Sequence, residues 1–176
     1  GTGYAGVPGI IFGRNEKVAW GLTNNICAQR DLYQEKENPD QPSSFLYDNE
    51  WEPAIAVEET ILVKDGDPVV RTIRQTRNGP IVDAILPAEA RDTGPVSLRW
   101  MGAEPCDEIT SMMDMSLSGN VDEFREALRS WIVPTWSFGF ADVEGHIGYQ
   151  AAGTLPIRES WTRGYRSGWD PEQQWN

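Results

Sequence analysis

Cysteine, histidine and lysine are all scarce in this chain. Cys27 and Cys106 are the only cysteines, too few for a disulfide framework and without metal-ligand spacing, so both are expected to be buried free thiols. His146 is the sole histidine and stands beside Gly145 in a turn, which predicts a surface position rather than a general base. The only lysines are Lys17, Lys36 and Lys64. With 15 basic against 27 acidic residues and a net charge of −12, no basic run can follow a phosphate backbone, and nucleic acid is not an expected partner. No apolar run approaches the roughly 20 residues that cross a bilayer, so no membrane partner is expected either. The G-x-S-x-G, Walker, H-E-x-x-H and C-x-x-C signatures are likewise missing.

What is present is alternation and tryptophan. At 176 residues the chain fits one domain or a piece of something larger. Gly9 to Arg14 and Lys17 to Thr23 read as a hairpin, and Pro, Asp and Ser mark Asn38 to Asn49 as a surface loop. Ile55 to Val63 and Val69 to Gln75 follow as strands around Asp65-Gly66-Asp67, the second half-buried. Val96 to Met101 is a further strand, and Trp136 to Asp142 and Ile147 to Ala152 pair about Glu144-Gly145. Val121 to Ser130 is the clearest helix: Asn120 caps it, Glu123 reaches back, and Phe124, Leu128 and Trp131 form one apolar face. Met112, Met113 and Met115 precede it as core filling or an amphipathic helix. The fold class is therefore α+β, mostly antiparallel sheet with one or two helices. Of the eight tryptophans, Trp20, Trp51, Trp100, Trp131 and Trp136 read as core, whereas Trp161, Trp169 and Trp175 are freer and keep open a glycan-binding β module.

Few residue groups suggest chemistry by themselves. Asp92-Thr93-Gly94 spells the aspartic-protease tripeptide, but it sits in a polar, Pro-flanked stretch without the paired carboxylates that such chemistry needs. Glu58-Glu59 and Asp122-Glu123 are expected on solvated faces.

Three longer blocks carry more information. They are Val7 to Glu35, containing Trp20-Gly-Leu-Thr-Asn-Asn25, then Phe140-Ala-Asp-Val-Glu-Gly-His-Ile-Gly-Tyr149, and Leu155-Pro-Ile-Arg158 continuing to Ser167-Gly-Trp-Asp170. Arg77-Asn-Gly-Pro-Ile81, Leu98-Arg-Trp100 and the start of the helix after Asn120 are compatible with the same pattern. In this order and separation the blocks resemble the penicillin acylase family of N-terminal nucleophile hydrolases, over nearly the whole chain.

That resemblance implies a four-layer αββα sandwich, of which this chain would hold part. It also implies hydrolysis of a small linear acyl amide, of the penicillin or N-acyl-homoserine-lactone type, by the free N-terminal residue of the large subunit. The nucleophile is expected upstream of Gly1, so residues 1–176 are read as an internal segment of that subunit, lacking the nucleophile and the C-terminal part, inactive alone and partnered by the rest of the parent protein. A homodimer of the segment is expected from its unpaired strand edges. A periplasmic or secreted location follows from the resemblance alone.

The family's site residues transfer by position. One oxyanion donor is a backbone N–H just after W-G-x-T, here Asn24. The other is an Asn side chain four residues before the Ala-Asp pair, here Ser137, whose hydroxyl sits on a shorter arm. Arg158 matches a supporting arginine, with an ordinary structural ion pair as its alternative. Many members bind calcium after W-G-x-T; Asp31 matches one ligand position, but the other falls on Ala28, which leaves a calcium cofactor in doubt because calcium prefers about six to eight oxygen ligands.

Overall fold

The computed structural model describes the backbone of residues 1–176 and every side chain outside residues 90–92. In chain order the strands are β1 (Gly13–Arg14), β2 (Val18–Asn24), β3 (Arg30–Gln34), β4 (Ser44–Tyr47), β5 (Glu50–Pro53), β6 (Ile55–Ile61), β7 (Val69–Thr76), β8 (Gly79–Pro80) and β9 (Val96–Trp100). Helices α1 (Glu108–Leu117) and α2 (Val121–Ala127) follow, and β10 (Trp136–Asp142), β11 (Ile147–Ala152) and β12 (Arg166–Ser167) come last. Every strand pair is antiparallel except β3 with β12. The expected α+β class, mostly antiparallel with two helices, is what the backbone shows. Contacts divide the chain into two compact units, Gly1–Gln29 with Met101–Leu155 and Arg30–Trp100 with Pro156–Asn176.

The first unit is a sheet in the order β1-β2-β10-β11 with α2 packed on β10 and β11. Alternation decides which face is covered. Val18 and Trp20 on β2, and Trp136, Phe138 and Phe140 on β10, point to the helices, whereas Ala19, Gly21 and Gly139 lie on the open face. Phe124 of α2 inserts among Trp20, Phe138 and Phe140, with ring centroids 5.3, 6.3 and 4.7 Å away. Burying such a ring contributes about 1.5–3 kcal/mol, and each aromatic pair about 0.5–1.5 kcal/mol more. The buried indoles keep their N–H groups satisfied: Trp20 donates to the Ile11 carbonyl and Trp131 to that of Pro134.

Helix α2 starts as the sequence predicts. Asn120 Oδ1 accepts from the N–H groups of Asp122 and Glu123, and Glu123 reaches back to Asn120 Nδ2 and to the Gly119 N–H. The expected helix to Ser130 is α-helical only to Ala127; Leu128–Ser130 tightens into a 3₁₀ turn, which still buries Leu128. The methionine stretch is α1, with Met115 buried, Met112 half-buried and Met113 exposed.

The second unit has β3 between β9 and β12, the sheet β6-β7-β8, and the hairpin β4–β5. Part of the loop expected at Asn38 to Asn49 is strand β4. Asp48 and Asn49, at φ of 45° and 65°, form the two-residue connection that pairs Tyr47 with Glu50. The β6–β7 hairpin forms as expected, but β7 is not half-buried. Ile55, Val57 and Ile61 share a face with Val69 and Ile73, and all five side chains remain exposed. Trp51 and Trp100, expected in the core, are 45% and 44% exposed, while Trp169 and Trp175 are half-buried and only Trp161 stands well out. Lys36 lies 3.8 Å over Trp169, and Arg99 4.9 Å over Trp175, which covers those rings with cations. The expectation of buried thiols also fails. Cys27 is half-buried and Cys106 exposed, both free, because each lies in a connecting segment rather than on a core face.

Candidate functional site

Strands β2 and β10 pair Thr23 with Ser137 and Asn24 with Trp136. One residue further on, the Asn25 N–H donates to the Thr135 carbonyl at 3.0 Å. Hydrogen-bonded pairs alternate along an antiparallel ladder, so Thr23–Ser137 is bonded and Asn24 is not. The Asn24 N–H therefore points away from β10. The other edge gives the same parity, since the Asn15 N–H donates to the Val18 carbonyl and β1 pairs with Ala19 and Trp20. That pairing stops short of Asn24, and among the described residues no strand lies on this side of its N–H. Its side chain is committed elsewhere, with the Trp136 indole N–H donating to Asn24 Oδ1 at 3.1 Å. Asn24 thus presents a backbone donor at the open edge of the sheet.

Ser137 points from the face opposite the core. Its hydroxyl lies 2.8 Å from the Tyr149 phenol of β11, and either group can donate. Neighbouring strands stand about 4.8 Å apart, so Ser137 is one strand removed from Asn24, on the side away from the Asn24 N–H. Tyr149 holds the hydroxyl on the β11 side.

The β10–β11 turn explains His146. Gly145 adopts φ of 90°, and Asp142 Oδ1 accepts from the N–H groups of Glu144 and His146. Asp142 Oδ2 lies 3.0 Å from His146 Nδ1. Burial pushes the Asp142 carboxyl up, but the His146 backbone and ring and the Val121 N–H outweigh it and leave the group below the ordinary aspartate value. His146 is exposed on a surface turn, as expected.

The other transferred positions lie in the second unit. Asp31 Oδ2 accepts from Arg158 Nε and from the Trp175 indole N–H, both at 2.7 Å, and Arg166 Nε is 4.0 Å away. Arg158 is an ion-pair partner of Asp31 here, which is compatible with both of its readings. The site does not fit calcium. Asp31 Oδ2 already accepts from two donors, Ala28 brings no carboxylate, and the described residues hold no group of three or more His, Cys, Asp or Glu suited to a metal. The Asp92 side chain, part of the aspartic-protease tripeptide, lies outside the described residues.

The sequence profile described as Penicillin amidase matches residues 1–176. The chain belongs to the penicillin amidase family. It is 29% identical to the acyl-homoserine lactone acylase QuiP of Pseudomonas aeruginosa, over all of this chain and 22% of that protein. Penicillin G acylase of Escherichia coli is 28% identical, over 87% of this chain and 18% of its own length. The thermostable penicillin G acylase of Alcaligenes faecalis superposes with a TM-score of 0.78 over 97% of this chain and 30% of its own, at 23% identity. The chain thus shares the fold of a stretch of that enzyme and spans about a fifth of the length of the relatives it matches.

Two features of this penicillin amidase segment escape sequence reasoning. Tyr149 is one; the Gly145 turn fixes a register pairing Gly139 with Tyr149 and Ser137 with Ala151, so the signal lay in the hairpin itself. The other is Glu35, buried and, among the described residues, without a basic partner in its hydrogen-bond set. Its Oε1 accepts from Thr76 Oγ1 at 2.9 Å, Asn78 Nδ2 at 3.1 Å and Ser97 Oγ at 2.6 Å. Gly168 packs so close that a Cβ there would stand 2.1 Å from Glu35 Oε2. This network joins the end of β3, the β7–β8 turn, β9 and the end of β12, and so ties the Arg77-Asn-Gly-Pro and Ser167-Gly blocks to one carboxylate.

Proposed function

We propose that this chain is the oxyanion-bearing segment of a larger acylase that hydrolyses small linear acyl amides through an N-terminal nucleophile. The observation that carries the reading is the Asn24 N–H at the open edge of β2, directly after Trp20-Gly-Leu-Thr23, in a chain of the penicillin amidase family. Attack on an amide carbonyl places negative charge on its oxygen, and a fixed backbone donor aimed at that point stabilises the transition state without reorganising. The nucleophile, with its α-amino group as base, belongs to the rest of the parent protein. Relatives named for acyl-homoserine lactones and for penicillin G support amides of a small acyl group as the substrate class.

Ser137 occupies the position of the second donor but is engaged by Tyr149, so the hole relies on Asn24. Arg158 supports the second unit through Asp31. The remainder of the parent protein is the principal partner; without it, the exposed apolar face of β6–β7 favours a homodimer of this chain.

The test uses the full-length protein and the 176-residue chain side by side, with an N-acyl-homoserine lactone and a phenylacetyl amide. Acid release from at least one substrate by the full-length protein, and from neither by the chain, is expected. A purified full-length protein that releases acid from neither overturns the reaction class. Turnover that co-purifies with the chain overturns the division of labour.

A further inference from the structure

We propose that Asp31 is the acceptor of a cation-independent clasp that fastens the segment Pro156–Asn176 to strand β3, in the place where the family resemblance implies a calcium ligand. All of these residues belong to the second unit. One oxygen, Asp31 Oδ2, takes two hydrogen bonds of 2.7 Å from different points of that segment, the Arg158 guanidinium and the Trp175 indole. Those two residues are paired with each other by a β-bridge, and the Asn176 N–H donates to the Ile157 carbonyl at 3.1 Å, so the acceptor grips a structure already closed on itself.

The surroundings repeat the same sign of charge. Asp31 lies opposite Arg99 in the β3–β9 ladder, Arg166 Nε is 4.0 Å from its carboxylate, and the Arg99 and Arg158 guanidiniums lie 4.9 and 5.6 Å from the Trp175 ring. Arg99 Nη1 also donates to Gln174 Oε1 at 3.3 Å. Calcium needs several oxygen acceptors, some of them charged, and is repelled by neighbouring cations. Here one carboxylate faces Arg99, Arg158 and Arg166 together with an indole donor. A calcium ion at Oδ2 would have to displace Arg158 and Trp175, and one at Oδ1 would sit beside the guanidiniums. The donor set suits a carboxylate anchor, in which charge-assisted bonds carry the attachment.

The experiment uses the 176-residue chain, stripped of metal by a chelator. Calcium titration by calorimetry should give no binding heat, and Tm should be the same in excess calcium and in chelator. Asp31→Asn and Arg158→Gln should each lower Tm by about 3–6 °C, and the double variant should fall no further than the more damaging single change. The Trp175 indole N–H resonance, assigned with Trp175→Phe, should shift in Asp31→Asn even if that variant is only marginally folded. A calcium-dependent rise in Tm that Asp31→Asn abolishes overturns the proposal. So do additive losses in the double variant, or an indole resonance indifferent to Asp31.

Discussion

Ser137 stands at the position of the family's second donor with its hydroxyl beside the Tyr149 phenol. Its hydroxyl is tied to Tyr149 on the side of β10 away from β2. In the full-length protein, Ser137→Ala should therefore change acyl-amide turnover by less than about 3-fold, against the 10²–10³-fold loss typical of a working oxyanion donor. Ser137→Asn, with a longer arm, should raise kcat and leave KM nearly unchanged. A loss with Asn together with a large loss with Ala would show that the hydroxyl already donates. Tyr33 and Glu108 are expected to lower stability at opposite ends of the pH range. Burial pushes the Tyr33 phenol above 10.0, with Arg166 and Arg99 opposing. The folded state holds that proton more tightly, so its contribution is complete below about pH 10 and fades above it. For Glu108, burial pushes up but the Cys106 thiol and the Val133 and Ile132 N–H groups outweigh it, leaving the carboxyl below 4.5. Its contribution is present above that value and is lost as pH falls through the folded pKa. Urea midpoints measured from pH 3 to 11 should decline at both ends, with Tyr33→Phe flattening the alkaline limb and Glu108→Gln the acid limb. An unchanged limb in either variant contradicts the assignment.

At the scale of elements, α2 is held by its cap and by one ring. Asn120→Ala should cost about 1 kcal/mol, and Phe124→Ala about 3–5 kcal/mol, because Phe124 is fully buried among Trp20, Phe138 and Phe140. Chemical denaturation of the two variants measures both values, and equal losses would show that the core does not converge on Phe124. These elements were legible because local signals agree: alternation in Val18 to Asn24 and Trp136 to Asp142, a turn at Gly145, a cap at Asn120. What was not legible depends on register or on distant partners. Trp51 and Trp100 sit in apolar patterns whose exposed side emerges only once the strands pair. The partners of Glu35 lie 41, 43 and 62 residues away, and no short window joins them. At the candidate site, the Asn24 position followed from the W-G-x-T motif, whereas the Ser137–Tyr149 contact needed the hairpin register. Asp31 was placed by motif, but its partners Arg158 and Trp175 are 127 and 144 residues away, which hid the ion pair.

For the molecule as a whole, the chain spans about a fifth of the length of its relatives, and the apolar face of β6–β7 is open in the second unit. At high micromolar concentration the 176-residue chain should scatter light as a dimer, and Val57→Lys should return it to a monomer; a monodisperse monomeric wild type contradicts this. Stabilisation of an oxyanion by the Asn24 N–H can be tested directly, because only proline removes a backbone donor. That N–H makes no ladder bond to β10 or β1, so proline should be tolerated there as at a sheet edge. The measurement is kcat/KM for an acyl amide in the full-length protein carrying Asn24→Ala or Asn24→Pro, with melting temperatures taken alongside. The Ala variant, which keeps the N–H, should stay within about 5-fold of wild type, and a folded Pro variant should lose about 10²–10³-fold, chiefly in kcat. A folded Asn24→Pro protein with undiminished kcat would contradict that stabilisation.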